Sequence, residues 1–165
     1  MNDFIQAILE VKPKHLLLDF DGVLTTNKVL VNSEGEEFVV CSRSDGIGLS
    51  RIKKLGIHPI VISTESNLVV SKRCEKLNID CHQSIDNKLE YIQSLKESSI
   101  IDLGKSIFIG NDINDLTLLS AVALPVVVND CWPDLLDLKI SYRTLRNGGC
   151  GAVREVCDII HSALA

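Results

Sequence analysis

The 165-residue sequence lacks an excess of positive charge, since 17 lysines and arginines face 22 aspartates and glutamates, for a net charge of −5. Nucleic acids and anionic membranes attract proteins through a positive field, so this composition argues against both as partners. A phosphorylated ligand would instead have to be held by a few placed cations or by a metal ion.

The sequence also lacks a Cys-x-x-Cys pair and a long apolar run at its N-terminus. Its six cysteines lie mostly in apolar or helical-looking stretches, which indicates buried thiols in a cytoplasmic protein rather than a zinc site. The first ten residues carry Asp3 and Glu10 and no basic segment, so neither a signal peptide nor a membrane span is predicted. Without linkers or repeats, one domain over 1–165 is expected.

Short apolar runs alternate with longer amphipathic stretches, a pattern typical of βαβ units and a parallel sheet. Strands are predicted at 15–20, 57–63, 79–82, 106–109 and 122–128. Pro59 and Pro125 suggest that two of these strands begin near a proline. Helices are predicted at 45–54, 67–77, 86–96, 114–121 and 152–163.

One segment interrupts this alternation. Two β-like runs, 28–32 and 36–41, flank Ser33, Glu34 and Gly35, which favours a hairpin projecting from the sheet. The predicted fold is α/β: a three-layer, Rossmann-like, doubly wound parallel sheet with a hairpin insertion at about 28–41.

Two aspartates, Asp19 and Asp21, follow the first predicted strand within Asp-Phe-Asp-Gly. If strand geometry persists, alternation places both carboxylates on one face, where a cation or the protonation of one must relieve their repulsion. The same residues are also typical of a strand end with a turn at Asp21 and Gly22. A metal site and a plain turn both remain open for this motif alone.

A second acidic cluster, Gly-Asn-Asp-Ile-Asn-Asp at 110–115, follows the fourth predicted strand. It offers the oxygen ligands that Mg²⁺ prefers and none of the histidine or cysteine ligands that zinc prefers. Asn111 or Asp112 could instead cap the next helix, and capping is compatible with metal binding.

Ser63 and Thr64 follow the second predicted strand, and Lys88 follows the third. Taken singly, such hydroxyls form turns and such a lysine is usually solvated. Ligands bind beyond the carboxyl ends of parallel strands, so an acid pair, a hydroxyl, a lysine and an acidic cluster at successive strand ends predict one shared site.

This order of motifs resembles the haloacid dehalogenase superfamily of phosphotransferases, over nearly the whole chain. The length, the lack of room for a cap domain, the hairpin and the Arg-Asn-Gly-Gly-Cys-Gly-Ala-Val-Arg-Glu-Val segment at 146–156 resemble a narrower group. That group is the small capless phosphatases of 2-keto-3-deoxy sugar-acid phosphates, and the resemblance implies the same reaction here.

The resemblance implies four catalytic residues. Asp19 would attack phosphorus and form an aspartyl-phosphate, and Asp21 would protonate the leaving alkoxide and then activate water. Ser63 would donate a hydrogen bond to a phosphoryl oxygen, and Lys88 would neutralise charge that develops there.

The resemblance also implies a Mg²⁺ site. The ion would be held by the Asp19 carboxylate, the Asp21 main-chain carbonyl and the Asn111 amide oxygen, with Asp112 and Asp115 in support. The family usually has an acid where Asn111 stands, which predicts a weaker hold on the metal.

Substrate contacts are expected at Gly22, Thr64, Glu65, Arg73 and Lys76. Glu65 matches a glutamate of nonulosonate phosphatases, and Arg73 and Lys76 match their basic positions. A cationic pair can bind the sugar carboxylate while Glu65 accepts hydroxyl hydrogen bonds, although a solvated helix face would explain the same charges. The predicted substrate is a nonulosonate 9-phosphate (KDN or N-acetylneuraminate), with 3-deoxy-D-manno-octulosonate 8-phosphate as the alternative.

Other departures from the family bear on these expectations. Cys150 stands where octulosonate enzymes often carry arginine, which counts against the alternative substrate. Thr25, Thr26 and Asn27 replace the usual Thr-Asp-Gly, although Asn27 tolerates a left-handed turn.

The resemblance further implies a homotetramer in which a neighbouring subunit closes the site, with the hairpin and the segment 146–154 as contact elements.

Two other classes of protein compete with the phosphatase. The oligomerisation domain fused to some sialic-acid cytidylyltransferases resembles this fold but loses the first aspartate, which is present here as Asp19. A receiver domain also pairs carboxylates with Mg²⁺, but it places an adjacent acidic pair after strand one and its phospho-accepting aspartate after strand three.

Overall fold

A six-stranded parallel sheet forms the centre of the molecule, for which a computed structural model describes residues 1–95 and 101–165. Its strands are β1 (His15–Leu18), β4 (His58–Ile62), β5 (Asp80–His82), β6 (Ser106–Gly110), β7 (Leu124–Val127) and β8 (Tyr142–Arg143). They lie in the order β5-β4-β1-β6-β7-β8. The predicted doubly wound α/β fold is confirmed.

Six α-helices accompany the sheet among the described residues. They are α1 (Asn2–Val11), α2 (Arg43–Lys53), α3 (Val69–Leu77), α4 (Lys88–Ser94), α5 (Leu116–Ala121) and α6 (Ala152–Leu164). The helix predicted at 86–96 thus begins at Lys88, and the end predicted for it lies outside the described residues. No helix in the described part of the chain is long and apolar enough to cross a membrane.

The centre of the sheet is buried on both faces. Leu16, Leu17 and Leu18 of β1 are inaccessible to solvent, and every residue of β6 is buried. Such continuous apolar runs are typical of parallel strands covered by helices. β1 hydrogen-bonds to β4 on one side and β6 on the other, with His15 opposite both His58 and Ser106.

The strand order explains where the site lies. From β1 the chain adds β4 and β5 in one direction and then β6, β7 and β8 in the other, so right-handed connections place helices on both faces. The order reverses between β1 and β6, and the crevice beyond the carboxyl ends of these strands is the usual ligand site.

Helices α2 and α6 pack closely against each other because Gly48 of α2 has no Cβ. A Cβ there would lie 2.8 Å from the Cys157 Cβ of α6.

The inserted segment forms the expected hairpin as a separate two-stranded sheet, β2 (Thr25–Val31) and β3 (Glu37–Cys41). Val29 pairs with Val39 in this sheet. Asn32 Oδ1 closes the turn by accepting hydrogen bonds of 2.9 Å from the main-chain amides of Glu34 and Glu36. Five large apolar side chains of the hairpin are more than half exposed, namely Val29, Leu30, Val31, Phe38 and Val40.

Two elements were not predicted, helix α1 and the two-residue strand β8. The helix buries Phe4 and Ile8, one turn apart, and the Phe4 ring stacks on Tyr142 of β8 with ring centres 5.0 Å apart. A two-residue strand has no period that a sequence pattern can reveal. Pro59 and Pro125 each occupy the second position of their strand, so both strands do begin beside a proline.

Candidate active site

Asp19 and Asp21 lie in the loop that follows β1. Asp19 is 3% exposed; its amide donates to the Ile109 carbonyl of β6, and its carboxylate accepts a 2.7 Å hydrogen bond from the Phe20 amide. Strand β1 ends at Leu18, so strand alternation does not relate the two aspartates. Asp21 is half-buried and accepts a 3.4 Å hydrogen bond from the hydroxyl of Thr25, a residue that was not predicted in the site.

Lys88 joins Asp19 to the second acidic cluster. Its side chain is inaccessible to solvent, and Nζ lies 2.8 Å from Asp19 Oδ1 and 2.5 Å from Asp115 Oδ1. Lys88 can reach both carboxylates because it is the first residue of α4, which the Asn87 side chain caps by accepting from the Glu90 amide. The structure therefore brings together three residues that the motif order predicted to meet.

The charges of this ion set do not cancel, since one lysine faces two buried carboxylates. Burial and the neighbouring charge of Asp115 raise the pKa of Asp19 to about 7, although Lys88 opposes the shift. Burial acts to lower the pKa of Lys88, but Asp19 and Asp115 outweigh it and the net shift is upward. Burial and the charge of Glu65 raise the pKa of Asp21. A further cation at this position would relieve the excess negative charge.

The loop after β6 supplies an unused ligand. Asn111 is 6% exposed, and its Oδ1 is buried with no hydrogen-bond partner among the described residues. Asp115 uses both oxygens, one on Lys88 and the other on the Asn111 amide at 2.8 Å, while Asp112 caps the short helical turn that follows. The carboxylates of Asp112 and Asp115 are thus engaged in helix capping and in positioning Lys88.

These residues fit a Mg²⁺ ion with few protein ligands. No group of three or more histidine, cysteine, aspartate or glutamate residues in the described ranges could hold a metal by itself. The orphaned Asn111 oxygen, the Asp19 carboxylate and main-chain carbonyls remain as ligands. Mg²⁺ keeps several waters, so one or two carboxylates with neutral oxygens suffice to hold it.

Glycines let the two loops interlock. A Cβ at Gly22 would lie 2.0 Å from Asn111 Nδ2, and a Cβ at Gly110 would lie 2.7 Å from Asp115 Oδ2. Gly22 also has φ +75°, a conformation that other residues rarely adopt. These positions therefore require glycine if Asn111 and Asp115 are to reach the catalytic loop.

Ser63, Thr64 and Glu65 form the loop after β4. Ser63 is 1% exposed and its Oγ accepts a 3.1 Å hydrogen bond from the Glu65 amide, which leaves the hydroxyl proton to donate. The Glu65 carboxylate accepts from the amides of Ser66 and Asn67 and so stabilises its own loop. Thr64 is exposed.

Arg73 and Lys76 lie elsewhere. They line a groove of about 690 Å³ between α2 and α3, together with Arg43, Ile47 and Lys54, and Arg73 donates a 2.9 Å hydrogen bond to the Ser42 carbonyl. None of the aspartates of the candidate site lines this groove. Among the described residues, the cation that pairs with Asp19 and Asp115 is Lys88, and neither Arg73 nor Lys76 forms an ion pair with them.

The fold and the buried Asp19, Lys88 and Asp115 define a phosphatase of the haloacid dehalogenase type. No protein-family model matches the chain. It is similar to 3-deoxy-D-manno-octulosonate 8-phosphate phosphatase KdsC from Escherichia coli K12, with 34% identity over 146 residues, 88% of this chain and 77% of KdsC. The chain belongs to the haloacid dehalogenase superfamily, in the group of capless sugar-acid phosphate phosphatases that includes KdsC.

Two crystal structures have the same fold. The 3-deoxy-D-manno-octulosonate 8-phosphate phosphatase from Moraxella catarrhalis, in complex with magnesium, phosphate and KDO, has a TM-score of 0.88 and 32% identity over 99% of this chain and 92% of its own. The enzyme of the same name from Yersinia pestis has a TM-score of 0.90 and 30% identity over 99% of this chain and 87% of its own. Neither name supports the predicted preference for a nonulosonate; both favour the alternative substrate.

Proposed function

We propose that this phosphatase hydrolyses 3-deoxy-D-manno-octulosonate 8-phosphate in a Mg²⁺-dependent reaction. The observation that carries the chemistry is the buried Lys88 between Asp19 and Asp115, beside an unpartnered Asn111 oxygen. The choice of substrate is supported by the names of the relatives, which are octulosonate 8-phosphate phosphatases. Within this chain, one carboxylate oxygen of Glu65 stabilises its own loop, and Arg73 lines a groove that contains none of the aspartates of the site.

In the proposed mechanism Asp19 is the nucleophile. One of its carboxylate oxygens attacks phosphorus, and the bond from phosphorus to the sugar oxygen breaks as Asp21 donates a proton to the leaving alkoxide. Burial and Glu65 raise the pKa of Asp21, which favours the protonated form that this step needs. Asp21 then takes a proton from water, whose oxygen attacks phosphorus and releases phosphate and the Asp19 carboxylate.

Other residues hold the reacting groups. Ser63 donates its hydroxyl proton to a phosphoryl oxygen, and Lys88 favours the ionised form of Asp19 against the effect of burial and supplies positive charge at the nucleophile. Asp19, Asn111 and the Asp21 carbonyl would hold Mg²⁺, which when bound screens the negative phosphate from the negative nucleophile. Asp115 positions Lys88 and the Asn111 loop. Gly22 and Thr64 are proposed to contact the substrate from the loops after β1 and β4.

Phosphate release from a panel of substrates tests this function. The panel contains the octulosonate 8-phosphate, the 9-phosphates of KDN and N-acetylneuraminate, and p-nitrophenyl phosphate, each with and without Mg²⁺. We expect the octulosonate to have a kcat/KM at least tenfold above the others and Asp19→Asn to release no phosphate, while the exposed Asp80→Asn behaves as the parent. Equal release by Asp19→Asn would refute the mechanism, and a higher kcat/KM for a 9-phosphate would refute the substrate.

The homotetramer is also a proposal, supported by the five exposed apolar side chains of the hairpin. In such an assembly we propose that Arg73 and Lys76 serve the site of a neighbouring subunit, since the groove that they line contains none of the aspartates of their own site. Sedimentation of the parent and of Leu30→Lys tests this, because a charge on the hairpin should dissociate the assembly. A parent that sediments as a monomer would refute it. The cytoplasmic location stays a prediction.

A further inference from the structure

The glycine-rich tail, residues 146–151, lies directly on the catalytic loop of its own chain. The Gly149 amide donates a 2.9 Å hydrogen bond to the Val23 carbonyl. A Cβ at Gly148 would lie 1.7 Å from the Gly22 carbonyl oxygen, and a Cβ at Gly149 would lie 2.1 Å from the Thr26 amide nitrogen. The main chain at Gly148 and Gly149 therefore packs directly on the main chain of the catalytic loop. A residue with a side chain would not fit at either position.

Gly22 is thereby enclosed from two directions. Gly148 contacts its carbonyl, and the Asn111 side chain occupies the space where its own Cβ would be. The Asn111 carbonyl is held in turn by a 2.7 Å hydrogen bond from the Trp132 amide. A displacement of Gly148 toward Gly22 would consequently move the Asn111 amide, the ligand that has no other partner.

Asp130 fixes the position of Gly148. Its Oδ1 accepts a 2.9 Å hydrogen bond from the Gly148 amide, and the neighbouring Asn129 donates a 2.8 Å hydrogen bond to the Asn147 side chain. Asp130 belongs to the loop after β7, so the tail is anchored to the sheet rather than to the catalytic loop alone. Neither Asp130 nor the tail glycines have a role in the mechanism above.

We propose that Gly148, Gly149 and Asp130 are positioning residues for the phosphatase reaction: they fix the main chain at Gly22 and, through it, the Asn111 amide. This inference rests on the proposed function for its kinetic test. Phosphoryl transfer depends mostly on positioning and electrostatics, and a misplacement of about 1 Å costs on the order of 100-fold in rate. The tail would thus act on the reaction through Gly22 and Asn111.

Gly148→Ala and Gly104→Ala form a matched pair. Neither glycine lies in the left-handed region, and a Cβ at Gly104 would lie 3.2 Å from the exposed Asp102 side chain. We expect Gly148→Ala to lower kcat/KM about 100-fold. It should also weaken Mg²⁺ binding, measured without substrate by calorimetry, by at least tenfold. Gly104→Ala should leave both within threefold of the parent.

Asp130 supplies a second pair that does not insert a side chain into the loop. Asp130→Ala removes the acceptor of the Gly148 amide, whereas Asp130→Asn keeps an acceptor oxygen at that place. We expect Asp130→Ala to weaken Mg²⁺ binding and lower kcat, and Asp130→Asn to restore both to within threefold of the parent. If Asp130 acted on stability alone, its substitution would change the melting temperature but leave Mg²⁺ binding and kcat unchanged.

The inference is overturned if Gly148→Ala binds Mg²⁺ and turns over like the parent, or if Asp130→Asn is as impaired as Asp130→Ala. Should Gly148→Ala fail to fold, the Asp130 pair decides. A parent enzyme that releases phosphate from none of the substrates refutes the proposed function instead. The calorimetric comparison then still tests the positioning, since it needs no substrate.

Discussion

Removal of the Lys88 charge should destabilise the protein strongly. Lys88→Met keeps most of the buried stem but leaves Asp19 and Asp115 facing each other without a cation. Loss of one partner from a buried ion pair costs about 3–5 kcal/mol. Asp19 can relieve part of that penalty by taking up a proton, since its pKa is already raised to about 7. We therefore expect a loss near the lower limit, about 3 kcal/mol at pH 7.

Urea denaturation in the presence of EDTA measures this loss, from the midpoint and slope of each transition. Lys72→Met is the control, because Lys72 pairs with Glu75 on the surface with 73% of its side chain exposed. Exposed pairs contribute about 0–1 kcal/mol, so the control should unfold nearly as the parent does. A domain of this size has about 5–15 kcal/mol to lose, so Lys88→Met should remain folded.

A double variant identifies the cause of the loss. Lys88→Met combined with Asp115→Asn removes one of the facing charges and should recover at least about 1 kcal/mol relative to the single Lys88 variant. If Lys88→Met costs no more than Lys72→Met, or if the double variant is no more stable than Lys88→Met, the assignment of a charge imbalance to this site is wrong.

Three further predictions concern stability. Ser84, between β5 and α4, has φ 61°, so Ser84→Gly should raise the free energy of unfolding by about 1 kcal/mol in urea; a less stable variant would contradict the strain. Burial raises the pKa of Asp45 from 3.8 to about 6, so the folded chain holds a proton that the unfolded chain releases. As the pH rises from 4 to 6, the free energy of unfolding of the parent should fall by about 2–3 kcal/mol relative to that of Asp45→Asn. Parallel pH profiles of the two proteins would refute this. Burial and the neighbouring His58 lower the pKa of His15, so stability should fall as pH drops below 6.5, and the melting temperature of His15→Gln should fall less.

The sequence pattern predicted which residues meet in the site, but not how they are buried and hydrogen-bonded. The order of acid pair, lysine and acidic cluster correctly anticipated that Asp19, Lys88 and Asp115 meet, because parallel strands bring their carboxyl ends to one edge. No pattern could show that Lys88 is fully buried or that Asp115 uses both oxygens, since these depend on how α4 and the loop after β6 pack.

The substrate contacts predicted from the sequence stay predictions. Arg73 and Lys76 line a groove between α2 and α3 that contains none of the catalytic aspartates, and this placement depends on how the two helices pack. The contact between Gly148 and Gly22 was not predicted. The glycine-rich segment was visible in the sequence, but only the fold brings residue 148 onto residue 22. Spacing along the chain carries no information about such a long-range contact.

The separation of these contacts along the chain has a consequence for biosynthesis. Asp19 is translated 69 residues before its partner Lys88 and 129 residues before Gly148. A nascent chain on the ribosome therefore carries the nucleophile long before it can complete the pocket around it. Catalytic competence should appear only after Gly148 has emerged, and translation products truncated before it should be inert.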